Sequence, residues 1–210
     1  MEFLMTISLA PNVWNIRYSP KMPLHPAALA GGGWTFAFPV APAGACPAPA
    51  TQPPNYNVSN CPHVDYVTTN YNRAVVGKSI TMAGSVTGNN PVFDFHTASD
   101  NTGLTPATVR LLIETRGDGL LINPEGRWWS NPISFPLALG AFSITVALTP
   151  DQWSDVDGQF GTADPAGFAS SLKDCGPLGM TFGGGSFFGH GVYLTAGSAN
   201  FNLTAFEINP

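Results

Sequence analysis

The sequence predicts an all-β fold: one antiparallel β-sandwich of jelly-roll type with a single short helix. Three observations point there. Short runs alternate apolar and polar residues, which is the period of a half-buried strand. Turn residues separate the runs at short intervals, and several such strands in a row mean a sandwich or barrel. Only one segment carries the punctuation of a helix. The 210 residues include 23 Gly and 20 Pro with no collagen repeat, so the chain turns often and holds few long helices.

Taken in order, residues 1–33 have weak periodicity and end in Gly31-Gly32-Gly33, and they read as an N-terminal arm that packs on the same domain or on a neighbour. The sandwich domain then spans 34–210. Trp34-Thr35-Phe36-Ala37-Phe38 alternates until Pro39 stops it, and 39–62 is a long Pro-rich loop. His63–Thr69 is rich in strand formers. Ile80, Met82 and Val86 alternate with Thr81, Ser85 and Thr87, and Phe93 and Phe95 with Asp94 and His96. Val109, Leu111 and Ile113 alternate with Arg110 and Glu114. Phe142, Ile144, Val146 and Leu148 alternate with Ser143 and Thr145. In the last strand, Ala199–Ile208, the phase slips near Ala205-Phe206, the mark of a bulge. Turns are expected at 88–91, 100–103, 117–119 and 123–126. Asp164-Pro165 opens a helix over Ala166–Lys173, with Phe168 and Leu172 on one face and Gly176-Pro177 ending it.

Composition removes several functions. Charged residues make up 10% of the chain, against ~25% in an average domain. Only 8 residues are Lys or Arg and the net charge is −5, so no nucleic-acid partner is expected. No run reaches the ~18 apolar residues of a membrane helix, so no membrane insertion is expected. The first ten residues have no Lys or Arg ahead of their apolar run, and no secretion signal is predicted.

Cys46 and Cys61 flank a Pro- and Asn-rich loop. A bridge there would close about 15 residues and contribute ~3 kcal/mol; two free thiols in a reducing cell fit the residues as well. Cys175 reads as a buried apolar residue. Asn57-Val58-Ser59 and Asn202-Leu203-Thr204 match the glycosylation pattern.

Five segments together carry a resemblance. They are Trp34–Pro39, His63–Thr69, Arg127-Trp128-Trp129, Leu148–Trp153, and Phe182-Gly183-Gly184-Gly185 followed by Gly189-His190-Gly191-Val192. Their order resembles a group of β-sandwich proteins of bacteria and their tailed phages. It is also similar to the galactose-binding-like jelly rolls found in many carbohydrate-binding modules. The resemblance covers roughly 34–208 and brings no catalytic residues. It implies a sandwich fold and a glycan-contacting or virion role.

The candidate site residues come from the residues themselves. In a strand, Arg127 and Trp129 share one face and Trp128 takes the other. Indole faces stack on sugar C–H groups and a guanidinium bonds hydroxyls, so this cluster suits a glycan platform; large aromatics equally suit a core. Asp94, His96, Arg110 and Glu114 stand opposite the apolar faces of their strands, giving either a saccharide-binding patch or a solvated face. Asp94 and Glu114 would serve glycoside hydrolysis only if ~5–9 Å apart. His190, between two glycines, suits a ligand contact on a loop or a structural bond to a carbonyl. Asp151, Asp155 and Asp157-Gly158 are the densest acidic run, but the full calcium-loop pattern is missing, so no cofactor is expected beyond an optional structural calcium.

Non-catalytic binding of a glycan or polysaccharide is the function this reading favours. A structural subunit of a phage virion or other surface assembly, touching other subunits or itself, is the alternative. A glycoside hydrolase or polysaccharide lyase is the third.

Overall fold

A computed structural model describes residues 4–19, 25–41, 45–46, 61–75, 77, 79–95, 106–118, 126–131, 134–184 and 191–210. Among them thirteen strands pair antiparallel in one hydrogen-bonded network. In chain order these are β1 (Met5–Thr6), β2 (Trp14–Ser19), β3 (Ala27–Ala28), β4 (Trp34–Ala37) and β5 (His63–Asn70). Next come β6 (Ser79–Phe95), β7 (Ala107–Thr115), β8 (Arg127–Ser130), β9 (Phe135–Pro136), β10 (Gly140–Ala147) and β11 (Trp153–Ser154). Helix α1 (Pro165–Lys173), β12 (Cys175–Gly184) and β13 (Val192–Asn209) complete the set.

The network makes two layers. The first runs β10-β6-β13, with β1 and the β4-β3 hairpin on the far side of β13. The second runs β2-β5-β12-β7, with β8-β11 and β9 beyond β7. A seam joins them where Val192 of β13 pairs with both Phe95 of β6 and Val64 of β5. The layers face each other across one core. Phe182 of β12 meets Phe201 of β13 edge-on at 5.0 Å, and Trp14 of β2 meets Phe206 of β13 at 5.4 Å. This is the antiparallel β-sandwich expected from the alternation, with one α-helix among the described residues.

The N-terminal segment packs on its own chain. Trp14 and Ile16 enter the core from β2, while β1 extends the first layer. Gly31, Gly32 and Gly33 form the hairpin between β3 and β4, all three at positive φ where a Cβ is strained.

The turn expected at 88–91 lies inside β6, which continues from Ser79 to Phe95. Asn90 takes a positive φ there, and Gly197 on the paired β13 does the same. The two strands bulge together, with register shifts around Ala196, so the turn residues bend a ribbon rather than reverse it. The phase slip near the C-terminus is a further bulge, between Leu203 and Ala205.

Helix α1 is capped by Asp164, whose Oδ1 accepts from the Gly167 N–H at 2.9 Å. Gly176-Pro177 does not end it. The helix stops at Lys173, and these two residues already belong to β12, a central strand the sequence reading passed over. Glycine is required there: a Cβ on Gly179 would strike the β5 backbone at Val67 and Thr68.

Cys175 opens β12 fully buried, and burial pushes its thiol up to about 12. The group stays protonated at any ordinary pH, so thiolate chemistry is suppressed. A disulfide-exchange reagent under mildly alkaline, non-reducing conditions should therefore find no reactive thiol in the folded chain and one per chain after denaturation.

Cys46 and Cys61 are bonded to each other. Cys61 packs with Ala41 and Tyr193, which ties the described ends of the long loop to the start of β13. Asn57 lies outside the described residues. Asn202 is 8% exposed and its amide donates to Ser85 Oγ and Thr87 Oγ1, so this sequon is occupied by internal bonds. No helix among the described residues is long and apolar enough to cross a membrane.

Candidate functional site

The second layer has an outward face made of register rows. Arg17 of β2, Tyr66 of β5, Thr181 of β12 and Arg110 of β7 form one row. Asn15, Thr68, Gly179, Leu112, Trp129 and Ser154 form the next. Glu114 and Arg127 pair in a third. Between β5 and β7, β12 contributes the small residues Gly179 and Thr181 to these rows, and both are buried.

Exposure changes across these rows. Asn15 and Arg17 are exposed and Thr68 is half-buried. Tyr66 is 8% exposed, and Arg110, Leu112, Glu114 and Trp129 are at 0%. A solvent-open rim on β2 and β5 thus grades into a closed polar floor on β7 and β8.

That floor holds charge. Arg127 donates through Nη2 to Asp118 Oδ2 at 2.7 Å, and the same nitrogen stands 3.8 Å from Glu114 Oε1. The Arg127 guanidinium also lies 5.9 Å from the Trp129 ring centre. Trp129 packs with Tyr66, Leu112 and Val156. Among the described residues, Trp129 Nε1 and Asp118 Oδ1 on this floor have no hydrogen-bond partner.

The sequence-predicted residues fall out as follows. Trp128 and Trp129 do take opposite faces. Trp128 lies in the central core, donating to Ser171 Oγ at 2.9 Å and meeting Phe168 edge-on. Neither indole offers an exposed ring, which corrects the stacking platform: both faces of β8 are covered. Arg110, Glu114 and Arg127 share the outward face but are buried, not a solvated patch. Asp94 sits apart at the seam, accepting from Tyr193 Oη at 3.1 Å. Burial, and then the Asp94 charge, push the Tyr193 phenol up. Phe95, next to Asp94, lies against Gly184, which pairs with Ala107 at the start of β7, and Glu114 is seven residues further along that strand, about 23 Å at ~3.3 Å per residue. That is too far for a hydrolytic pair. His96 and His190 lie outside the described residues.

The acidic run is a turn. Asp155 Oδ1 accepts from the backbone N–H groups of Asp157 and Gln159, and Trp153 is anchored through Nε1 to the Ala147 carbonyl at 2.8 Å. Among the described residues, no group of three or more His, Cys, Asp or Glu is placed to hold a metal ion.

Residues that the sequence reading passed over are Asn15, Arg17, Tyr66, Thr68, Thr181 and Asp118. The alternation of Trp14 and Ile16 with Asn15 and Arg17 signals a strand with one polar face, but not which strand that face lies beside.

No protein-family model matches the chain, and no curated protein matches it. Among solved structures it is similar to a xylan-binding module CBM15, with a TM-score of 0.42 and 12% identity over 96% of both chains. At that score and identity the likeness says nothing of a ligand.

Proposed function

We propose that the chain binds a polysaccharide without cleaving it, on the outward face of the second layer. The observation that supports this most is the graded polar face. An open rim of Asn15, Arg17 and Thr68 borders a closed floor where, among the described residues, the Trp129 indole N–H and Asp118 Oδ1 have no hydrogen-bond partner. Leaving such groups unpaired costs ~1–3 kcal/mol each, so they favour a buried water beneath the rim, while sugar hydroxyls would meet the exposed side chains of the rim itself. Sugar hydroxyls donate and accept together, and this face offers both. Recognition would rest on hydrogen bonds, with Tyr66 the aromatic nearest the rim. Affinity at one site would be modest, and several linked copies would add avidity.

Affinity electrophoresis through gels containing neutral and acidic polysaccharides tests the reading. At least one polymer should retard the wild-type chain. Arg17→Ala removes a charged hydrogen bond from an exposed position, so it should weaken that retardation about tenfold or more while leaving the fold intact. Free passage through every gel, or equal retardation of the variant, would refute the site.

A further inference from the structure

The first layer ends in an unguarded edge. Strand β10 pairs with β6 on one side only, in an unbroken ladder from Gly140↔Val86 to Ala147↔Ser79. Among the described residues, no backbone group bonds its other side. At the end of the strand the Trp153 indole donates to the Ala147 carbonyl.

Edge strands usually carry a guard: a lysine, a proline, a bulge or a short length. Here β10 has eight residues, no bulge, and no charged residue or proline. The whole stretch 135–150 is uncharged. Phe142, Ile144 and Val146 point inward, and Ala141, Ser143 and Thr145 are exposed. Leu139, just before the strand, is 49% exposed.

We propose that β10 is a self-association edge. Two copies of this chain pair their β10 strands antiparallel about a two-fold axis, and their first layers become one continuous sheet. A second copy is the occupant because an uncharged edge has nothing with which to select a charged partner strand. An antiparallel two-fold also satisfies the same donors and acceptors on both sides at once.

Parity fixes the register. Residues paired across strands share a face, so the axis must pass through a residue, not between two. Centred on Ile144, the pairing sets Thr145 opposite Ser143 of the other copy on the outer face, and Phe142 opposite Val146 on the inner. Thr145 already shares a hydrogen bond with Thr81 at 2.9 Å, so the hydroxyl row on β6 and β10 runs on across the junction. Exposed Leu139 comes opposite Thr149 of the other copy. Centred on Ser143, the pairing would set Thr145 against Ala141 and break that row.

Sedimentation velocity over a wide concentration range tests this, with far-UV circular dichroism and melting curves confirming the fold of each variant. The wild-type chain should sediment at twice the chain mass. The double variant Ser143→Lys, Thr145→Lys changes two exposed side chains and sets like charges opposite each other, so it should be a folded monomer. The double variant Ser143→Glu, Thr145→Lys sets opposite charges across the axis and should remain a dimer. A wild-type monomer at every concentration, or a lysine double variant that dimerises like wild type, would overturn the proposal. A monomeric Glu/Lys variant beside a dimeric wild type would overturn the register centred on Ile144.

Discussion

Phe201→Ala lowers the free energy of unfolding by about 3–5 kcal/mol, a large part of the stability of a domain this size. Phe201 is fully buried on β13, at the centre of the aromatic cluster that joins the layers. Its ring lies 5.0 Å from Phe182 of the opposite layer, 5.1 Å from Phe142, 5.7 Å from Phe36 and 6.1 Å from Trp34. Removing it opens a cavity bounded by four rings held on three strands, which cannot collapse far. Aromatic pairs add ~0.5–1.5 kcal/mol beyond area, so the loss exceeds that of an isolated Phe. Phe201→Leu keeps most of the volume and should cost clearly less. Denaturant titration of the three proteins checks the order. A loss for Phe201→Ala no greater than that of a surface substitution would mean the layers are not joined there.

Arg127→Ala destabilises by a similar amount, about 3–5 kcal/mol, for a different reason. The side chains of Arg127 and Asp118 are 8% and 2% exposed, and that of Glu114 is at 0%. Truncating the arginine leaves two carboxylates buried beside each other without their cation. Arg127→Lys keeps the charge but loses the planar fork, and should fall between wild type and Arg127→Ala. Urea titrations at low and high salt check this. The loss should change little with salt, because buried charges are poorly screened. A loss under 1 kcal/mol, erased by salt, would mean the floor is wet and open.

The first layer was the more legible half. Strands β6, β10 and β13 have one face in the core and one toward solvent, so Phe142, Ile144 and Val146 announce their face by period alone. The β7 and β8 part of the second layer is covered on both sides, which erases that signal. Leu112 interrupts the alternation of Val109, Leu111 and Ile113, and Trp128-Trp129 sets two large apolar residues side by side. Adjacent apolar residues are how a strand buried on both faces reads. Taking Arg110 and Glu114 as a solvated face follows from expecting one wet side everywhere. Strand β12 was hidden by Pro177, Gly179, Gly183 and Gly184, residues that punctuate loops; here Gly179 lets the β5 backbone approach and Gly184 leaves room for the Phe95 ring. The hairpin residues at 88–91 misled for the converse reason: their dihedral freedom serves a paired bulge within two long strands. Of the candidate site, the sharing of one face by Arg127 and Trp129 could be read from period alone. The rim of Asn15 and Arg17 could not, because placing it needs the long-range pairing of β2 with β5.

The most direct test of the ligand-binding face is a two-dimensional 15N–1H spectrum of the tryptophan indoles, with and without oligosaccharides cut from whichever polysaccharide retards the protein. Five tryptophans give five indole signals. Trp14, Trp128 and Trp153 donate to Ser8 O, Ser171 Oγ and Ala147 O, and Trp34 is enclosed between the layers. Trp129 Nε1–H alone combines a place on the outward face with no partner among the described residues. Its signal, assigned through Trp129→Phe, should shift with added oligosaccharide while the other four hold still. Saturable binding that leaves the Trp129 signal in place would contradict the account and put the ligand on another surface.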